Sequence, residues 1–477
     1  MTLEQWLAYQ QRQHPDAIAL GLDRVRTIAD RLGLARPARH VITVAGTNGK
    51  GSTVAFVETI ARAAGLRVGA YTSPHLLAYN ERVRIAGADV DDAALIEAFE
   101  AIEAARTGSI VHGSLRQAQG RPGSPRTDDV MATRESVHGS TGSPRTDFVL
   151  RTDDGSTGSP RTGESVPIPL TYFEYGTLAA LWLFARAGLD LAILEVGLGG
   201  RLDAVNIVDA DVAIITSVDL DHQVLLGADR ETIGLEKAGI MRAGKPVVLA
   251  EFDPPASVLR HAYAIGAVAI RAGCDYLIDE LGDRWRWREV GYEIELPQPA
   301  LTAPAQRANA AAAVAALRAL DCQISDAAIV AGVRAANVRG RLQTVLTDGV
   351  PVMLDVAHNP QAARQLAQWL AENPGAGKTL AVFSALADKD LDGIVGPLRG
   401  HVAHWWLCGL ADTPRGLSAQ ALARRLAPVL AGADVDVVDG VAVALAQARA
   451  QAGPGDRIVV FGSFHTVADA LRALAAD

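Results

Sequence analysis

Hydrophobic and polar positions change in a regular rhythm along most of this chain. Short apolar runs of strand length alternate with longer segments in which apolar residues recur at helical spacing. In the first part of the sequence, strands are predicted at residues 41–44, 67–71, 191–195, 211–217 and 246–250. Strands that alternate with helices in this way indicate a parallel sheet with crossover helices.

The alternation of strands and helices changes near residue 284 and then resumes. Residues 284–296 alternate polar and apolar positions, which predicts one half-buried antiparallel strand with Trp285 and Trp287 facing the core. An Ala-rich helix over 306–320 and a second helix to about Val338 follow. A new α/β rhythm then begins, with strands predicted at 350–355, 379–383, 404–408, 435–438 and 457–461. We therefore expect an α/β protein with a domain boundary near residue 339 and a smaller doubly wound domain behind it.

Residues 107–166 interrupt the first rhythm. The sequence Gly-Ser-Pro-Arg-Thr recurs there at 123, 142 and 158 among Asp, Gly and Ser. The segment lacks the apolar residues that would offset its ordering entropy, so it is predicted to be a disordered low-complexity insertion. A phosphorylated or partner-binding tail is the functional alternative.

Charge and composition narrow the possible partners. The chain has 477 residues, 49% hydrophobic content and a net charge of −9, which argue against a nucleic-acid partner, although a basic pocket for a polyanion remains possible. Neither the mixed polar and apolar start of the chain nor any later run resembles a signal peptide or a membrane span. The 3 cysteines are widely spaced and predicted to be buried thiols of a reducing compartment. A cytoplasmic monomer that acts on small molecules is expected.

A glycine-rich turn follows the first strand and opens a helix. Its residues are Gly46, Thr47, Asn48, Gly49, Lys50, Gly51 and Ser52. Such a turn lets backbone N–H groups approach an anion at the positive end of the helix, with Lys50 on the β- and γ-phosphates and Ser52 or Thr53 near magnesium. The spacing departs from a Walker A motif, because Gly46 and Gly49 enclose two residues and Gly51 follows Lys50. An ordinary loop is the alternative.

Further polar clusters lie at predicted strand ends of the same domain. Thr72-Ser-Pro-His-Leu76, Glu195 with the glycines after it, and Val218-Asp-Leu-Asp-His222 follow strands, and Lys237 lies in an apolar helical stretch. Alone, Glu195 could cap a helix, His222 could be a core histidine and Lys237 could be solvated. Together, at the carboxyl edge of one sheet, a hydroxyl, a carboxylate and an imidazole suit a magnesium ion that is partly bound by nucleotide phosphate.

These motifs occur in one order along the chain and resemble a known family. Gly46–Ser52, Thr72–Leu76, Leu170–Glu174, Glu195–Asp203, Glu236–Ile240, Gly340–Leu342, Leu354–Pro360 and Gly462–Val467 are similar to the signatures of bacterial folylpolyglutamate synthase/dihydrofolate synthase. That family belongs to the ADP-forming amide ligases, which include the Mur ligases. The resemblance implies a P-loop Mur-ligase-like domain over 1–339 and a Rossmann-like α/β domain over 340–477.

The resemblance also implies the roles of individual residues. Ser73, Glu195 and His222 would bind magnesium, and a carbamylated Lys237 would support a second magnesium ion. Lys50, His222 and Lys237 would be the catalytic residues. The nucleotide would contact the glycine-rich turn together with Asn309, Arg341, Asp355 and His358, of which Asp355 would meet the ribose.

A pterin pocket is implied as well. Its residues would be Thr171, Tyr172, Phe173, Glu174, Leu202, Asp203 and Ala204, with Phe173 against the pterin ring. The implied reaction is the ATP-dependent addition of L-glutamate to dihydropteroate and to folates through an acyl phosphate, with release of ADP and phosphate.

Two rival functions fit the sequence less well. A Mur-type ligase for a nucleotide-linked peptide would need an additional domain before the phosphate loop, and about 45 residues are too few to form one. A nucleotide-gated binding protein that has lost turnover is disfavoured by the presence of Glu195, His222 and Lys237.

The insertion gives a first prediction. Replacing most of residues 107–166 with a short Gly/Ser linker should leave the rate of catalysis nearly unchanged, because the segment cannot form part of a packed core. Steady-state kinetics of the shortened protein test this. A large loss of activity in a variant that remains folded would contradict it.

Overall fold

A computed structural model describes residues 1–34, 36–108, 167–320, 322–410, 413 and 415–476 of the chain. Three sheets organise these residues, with helices packed against them. The predicted insertion, 107–166, lies outside the described residues except for its first two positions, and Thr107 ends a helix.

The first sheet has eight strands and forms the frame of the candidate site. Its strands in chain order are β1 His40–Ala45, β2 Val68–Tyr71, β3 Val83–Ile85, β4 Ala88–Asp89, β5 Leu191–Glu195, β6 Val212–Ile215, β7 Pro246–Leu249 and β8 Val268–Arg271. Their spatial order is β4-β3-β2-β5-β1-β6-β7-β8. The strands from β2 to β7 in this spatial order pair in parallel, as predicted. The sequence analysis missed β8, which extends the parallel sheet, and the antiparallel edge strands β3 and β4.

Ten helices of the described residues accompany the first two sheets. They are α1 Leu3–Gln10, α2 Asp23–Arg31, α3 Lys50–Ala63, α4 Asp92–Thr107, α5 Tyr172–Ala187, α6 Gln223–Leu226, α7 Arg230–Ala238, α8 Ala256–Ile265, α9 Gln306–Ala319 and α10 Asp326–Ala335. Helix α3 packs closely against α10, since a Cβ at Gly332 would lie 2.4 Å from the Cα of Ile60. This contact fixes the helix that follows the phosphate loop.

A small antiparallel sheet contains the two tryptophans. Its strands are β9 Tyr276–Leu281, β10 Arg284–Glu289 and β11 Tyr292–Pro297. The prediction of a single strand over 284–296 is wrong, because a turn at Val290 and Gly291 divides the segment into a hairpin. The burial of Trp285 and Trp287 is confirmed: both are fully buried, and the indole of Trp287 donates to the carbonyl of Ala311 in α9 at 3.1 Å.

The third sheet lies in the C-terminal part of the chain. Its strands are β12 Gln343–Thr347, β13 Val350–Asp355, β14 Thr379–Phe383, β15 His404–Cys408, β16 Asp434–Val438 and β17 Arg457–Phe461. Its helices are α11 Pro360–Glu372, α12 Leu391–Val395, α13 Ala419–Leu426, α14 Val441–Gln451 and α15 Phe464–Ala476. The spatial order is β12-β13-β17-β14-β15-β16, and only the missed strand β12 is antiparallel among these described strands.

Apolar side chains cover both faces of the first and third sheets. This explains why central strands such as β1 and β5 are nearly continuous apolar runs. The prediction that all cysteines are buried holds for Cys408 but is wrong for Cys274, which is exposed. None of the helices in the described ranges combines the length and apolar character needed to cross a bilayer.

Candidate active site

The glycine-rich turn connects β1 to α3, as the sequence predicts. Gly46 has φ 154° and Gly49 has φ 85°, and a Cβ at either position would collide with a neighbour. At Gly46 the neighbour is the hydroxyl of Thr216, and at Gly49 it is the side-chain oxygen of Asn309, only 2.6 Å away. Glycine is therefore required at both positions for conformation and for space.

The turn is attached to the loop that leaves β6. The backbone N–H of Thr47 donates to the carbonyl of Ser217 at 2.7 Å, and the Thr47 hydroxyl exchanges hydrogen bonds with the backbone of Asp219 at 3.0 and 3.1 Å. Lys50 begins α3, and its ammonium donates to the carbonyls of Gly46 and Thr47 at 3.0 and 3.2 Å. The lysine is thus held over the loop that would contact phosphate.

Glu195, at the end of β5, lies next to this turn. The residue is 4% exposed, and its carboxylate accepts the backbone N–H of Ser73 at 3.0 Å. Burial raises the pKa of Glu195, and the nearby Lys50 opposes that shift. Lys237 in α7 is equally buried and lines the same cavity. Burial and the charge of Lys50 lower the pKa of Lys237 to about 7.

The donor groups of this region fit magnesium held jointly with phosphate. The hydroxyl of Ser52 is buried in the cavity wall and has no hydrogen-bond partner among the described residues. Within those residues, no three His, Cys, Asp or Glu side chains converge as a metal cage. A site with one carboxylate, serine hydroxyls and an imidazole suits Mg²⁺, which keeps several water or phosphate ligands.

The cavity that contains these groups measures about 860 Å³ and lies between the first and third sheets. Asp355 at the end of β13 lines the cavity, as do Arg341 before β12 and His358 after β13; all three are predicted nucleotide contacts. Asp355 accepts the backbone N–H groups of Leu342 and Ala357, both at 2.8 Å. Asn309 reaches the cavity from α9.

Asp221 joins the two sides of the cavity. Its carboxylate accepts the ammonium of Lys389 at 2.7 Å and the amide of Asn359 at 3.2 Å, both from the C-terminal part of the chain. Burial alone would raise the pKa of Asp221, but the contacts with His358 and Lys389 hold it well below its usual range. The next residue, His222, is neutral near pH 7, because burial lowers its pKa to about 4.

Comparisons with known proteins agree with this geometry. Residues 340–464 match the family model described as Mur ligase, glutamate ligase domain. The dihydrofolate synthase/folylpolyglutamate synthase of Escherichia coli is 40% identical over 99% of this chain and 95% of its own length. The chain belongs to the dihydrofolate synthase/folylpolyglutamate synthase family. The resemblance seen in the sequence is confirmed.

Two solved relatives cover the whole chain and 98% of their own. E. coli FolC in complex with DHPP and ADP has a TM-score of 0.82 and 39% identity. The Yersinia pestis bifunctional enzyme complexed with AMPPNP and Mn has a TM-score of 0.81 and 41% identity. The predicted Mur-ligase fold, the ligase class and ATP dependence are therefore confirmed, and this chain is an ADP-forming glutamate ligase of folate metabolism.

The residues predicted for the pterin pocket in this synthase lie behind the cavity wall. Thr171 and Glu174 form a capping box at the start of α5, and Glu174 also pairs with Arg24 at 2.9 Å. Asp203 accepts the backbone N–H groups of Gly197 and Leu198 at 3.0 and 2.9 Å.

The remaining residues predicted for the pterin pocket lie near the start of α5 and near Asp203. Phe173 packs on Gly197, where a Cβ would lie 2.6 Å from its ring, and Ala204 begins the 3₁₀ turn after Leu202 and Asp203. None of Thr171, Tyr172, Phe173, Glu174, Leu202, Asp203 and Ala204 is among the residues that line the cavity. The structure thus places them next to the cavity, and their contact with substrate stays a prediction.

The sequence analysis missed two residues of the site and gave no role to a third. Asp221 was noted only beside His222, while Lys389 and Arg82 were not singled out. The Asp388-Lys-Asp390 triplet after β14 was a usable signal, since it places charge at the carboxyl end of a buried strand. Arg82 ends the 3₁₀ turn that begins at Tyr79 and had no comparable signal.

The Asp221–Lys389 pair gives a prediction. Lys389→Met should lower the free energy of unfolding by about 3–5 kcal/mol, because it leaves a buried carboxylate without its cation. The side chains of Lys389 and Asp221 are 7% and 12% exposed. Urea unfolding of purified protein measures the effect.

A second ion pair of the same loop provides the control. Arg364 contacts Asp219 at 2.7 Å but is 57% exposed, so Arg364→Gln should cost no more than about 1 kcal/mol. Equal losses from the two substitutions would show that burial of the Lys389 pair has no special effect.

Proposed function

We propose that this chain joins the amino group of L-glutamate to the carboxylate of dihydropteroate and to the terminal carboxylate of folates. A carboxylate oxygen would attack the γ-phosphorus of ATP, and the bond from phosphorus to the β,γ-bridging oxygen would break, giving ADP and an acyl phosphate. The glutamate amine would then attack the acyl carbon, lose a proton and displace phosphate. The observation that carries this proposal is the buried Lys237 facing the same cavity as the phosphate loop and Glu195.

The phosphate loop supports the nucleotide part of the proposal. Backbone N–H groups at the start of α3, with Lys50 above them, would hold the phosphates. Asn309, Arg341, Asp355 and His358 would bind the remainder of ATP. Arg341 is oriented by the ring of Phe464, 5.3 Å from its guanidinium carbon. The division into domains 1–339 and 340–477 is part of this proposal, and the cavity between their sheets would exclude water from the acyl phosphate.

Ser52, Ser73, Glu195 and His222 are the groups proposed to hold magnesium. When bound, the metal would neutralise charge on the transferring phosphoryl group. The unpartnered hydroxyl of Ser52 and the neutral imidazole of His222 are both in the state required of a ligand. Glu195 is held for this role by the N–H of Ser73.

Lys237 is proposed to carry a carbamate that supports a second magnesium ion. With a pKa of about 7, a substantial fraction of its amine is neutral near pH 7. A neutral amine can form a bond from nitrogen to the carbon of CO₂ and lose a proton to water, which yields an anion. Lys50 lies near enough to lower the Lys237 pKa, and it would stabilise that anion.

Product analysis tests the reaction itself. With ATP, magnesium and glutamate, either dihydropteroate or tetrahydrofolate should elicit ADP release and a product heavier by one glutamyl residue. The rates with the two acceptors, followed by mass spectrometry, measure each activity separately. Nucleotide binding without ADP release would instead favour a regulatory protein that has lost turnover.

Substitution of Lys237 tests the carbamate. Lys237→Ala should abolish turnover and leave ATP binding largely intact, because Lys50 and the glycine loop remain. Formate or acetate should partly restore activity, since a small carboxylate can occupy the vacated space and replace the lost anion. Turnover assays with increasing formate measure the recovery.

Two controls separate the carbamate from a structural ammonium group. Methylammonium should restore nothing in the alanine variant, whereas recovery by methylammonium alone would refute the carbamate. Lys245→Ala removes an exposed lysine that pairs with Asp211 at 3.2 Å and should leave the rate unchanged. Wild-type activity of Lys237→Ala without additive would also reject the assignment.

A further inference from the structure

Arg82 is a buried cation at the edge of the cavity. It ends the 3₁₀ turn Tyr79–Arg82, is 8% exposed and lines the cavity together with Ser73 and His75. Burying a guanidinium group is costly unless a negative charge compensates for it. The groups around Arg82 therefore indicate whether a ligand must supply that charge.

The side chains that contact the guanidinium among the described residues are neutral. Its Nε donates to Nδ1 of His75 at 2.9 Å, and its carbon lies 5.2 Å and 5.5 Å from the ring centres of Tyr79 and Tyr172. Because Nδ1 of His75 accepts this bond, that nitrogen carries no proton and the imidazole is neutral. Burial raises the pKa of both tyrosines.

The nearest acidic residue in sequence is already occupied. The carboxylate of Glu81 accepts the backbone N–H groups of Leu76, Leu77 and Ala78 at 2.7 to 3.1 Å. In the part of the chain that the structure describes, no carboxylate forms an ion pair with Arg82. By contrast, Arg84 on the next strand is neutralised by Glu58 at 2.8 Å.

The position of Arg82 indicates which substrate carboxylate would supply its counter-charge. On one side, its ring contact with Tyr172 connects it to the segment proposed to hold the pterin. On the other side, the carbonyl of Arg82 accepts the N–H of Thr72, and the next residue, Ser73, donates to Glu195. An acceptor substrate bound between these points would present its carboxylate to Arg82 and, across Ser73, to the phosphate site.

We propose that Arg82 binds the benzoate carboxylate of dihydropteroate and orients it toward the γ-phosphate of ATP. This inference rests on the proposed function. The other source of a carboxylate is the incoming glutamate. Arg472, an arginine of the C-terminal side that also lines the cavity, already pairs with Asp469 at 2.8 Å and is 59% exposed. Arg82, which forms no ion pair with a carboxylate of the described residues, lies on the side of the cavity nearest Tyr172.

Binding measurements test the assignment without relying on turnover. In the presence of ADP, wild-type protein should bind dihydropteroate about 10- to 100-fold more tightly than its neutral carboxamide analogue, as expected for a charge-assisted hydrogen bond in a buried site. Arg82→Gln should lose that preference, and Arg82→Lys should keep part of it. The dissociation constant of ADP should not change.

Arg84→Gln is the matched control, because it removes a neighbouring arginine that already has a carboxylate partner. It should retain the preference for the acid even if its stability falls. Equal affinity of wild-type protein for the acid and the amide would overturn the proposal, and this result does not require any variant to fold. A rise of the glutamate KM in Arg82→Gln, with dihydropteroate affinity unchanged, would assign the arginine to glutamate instead.

Binding and ADP release together distinguish a wrong acceptor from a wrong role of Arg82. If wild-type protein bound neither dihydropteroate nor its amide, the proposed acceptor of the ligase would be wrong. If it bound both equally and still released ADP with glutamate, the ligase function would stand and only the role of Arg82 would be rejected.

Discussion

Desolvation of charge is the physical constraint on which the cavity between the first and third sheets depends. Lys50, Glu195, Lys237 and Arg341 all have pKa values shifted by burial toward their neutral forms. A low-dielectric site makes each unsatisfied charge costly but also strengthens every charge interaction with a bound ligand. The cavity is therefore organised to be completed by anionic phosphates and carboxylates, and a bound cation would balance the buried Glu195.

Such a site needs rigid supports, and the backbone supplies most of them. The phosphate turn is fastened to the loop after β6 through Thr47, while Asp203 holds the Gly197–Leu198 turn by two N–H bonds. Asp221 extends this support across the cavity, because Lys389 and Asn359 reach it from the other side. The loop that carries His222 is consequently positioned by both parts of the chain. Geometry for phosphoryl transfer thus depends on how the two sheets meet.

The fold could be predicted where the physical signal is strong and local. Central parallel strands such as β5 and β14 are buried on both faces, so their apolar runs give both their existence and their limits. Edge strands gave no such signal. Strand β4 has two residues, both exposed, and β12 alternates half-buried and exposed positions. The hairpin at Val290 and Gly291 was predicted as one strand, because polar and apolar positions alternate on both of its strands.

The residues of the candidate site also differ in how well the sequence predicts them. Glycines before a helix and acids after strands are linear patterns, so Gly46, Gly49 and Glu195 could be located from the sequence. Lys389 and Asp221, in contrast, are 168 positions apart in the sequence. Only the packing of the two sheets brings the Lys389 ammonium within 2.7 Å of the Asp221 carboxylate. The segment over 171–174, which is predicted to contact the pterin, shows a further limit. Thr171 and Glu174 form a capping box, a local function that the Thr-x-x-Glu spacing also encodes, so the same residues that indicate a substrate pocket also start α5. Helix capping is compatible with the predicted pocket, because a fixed start of α5 holds Phe173 against Gly197, which lines the cavity.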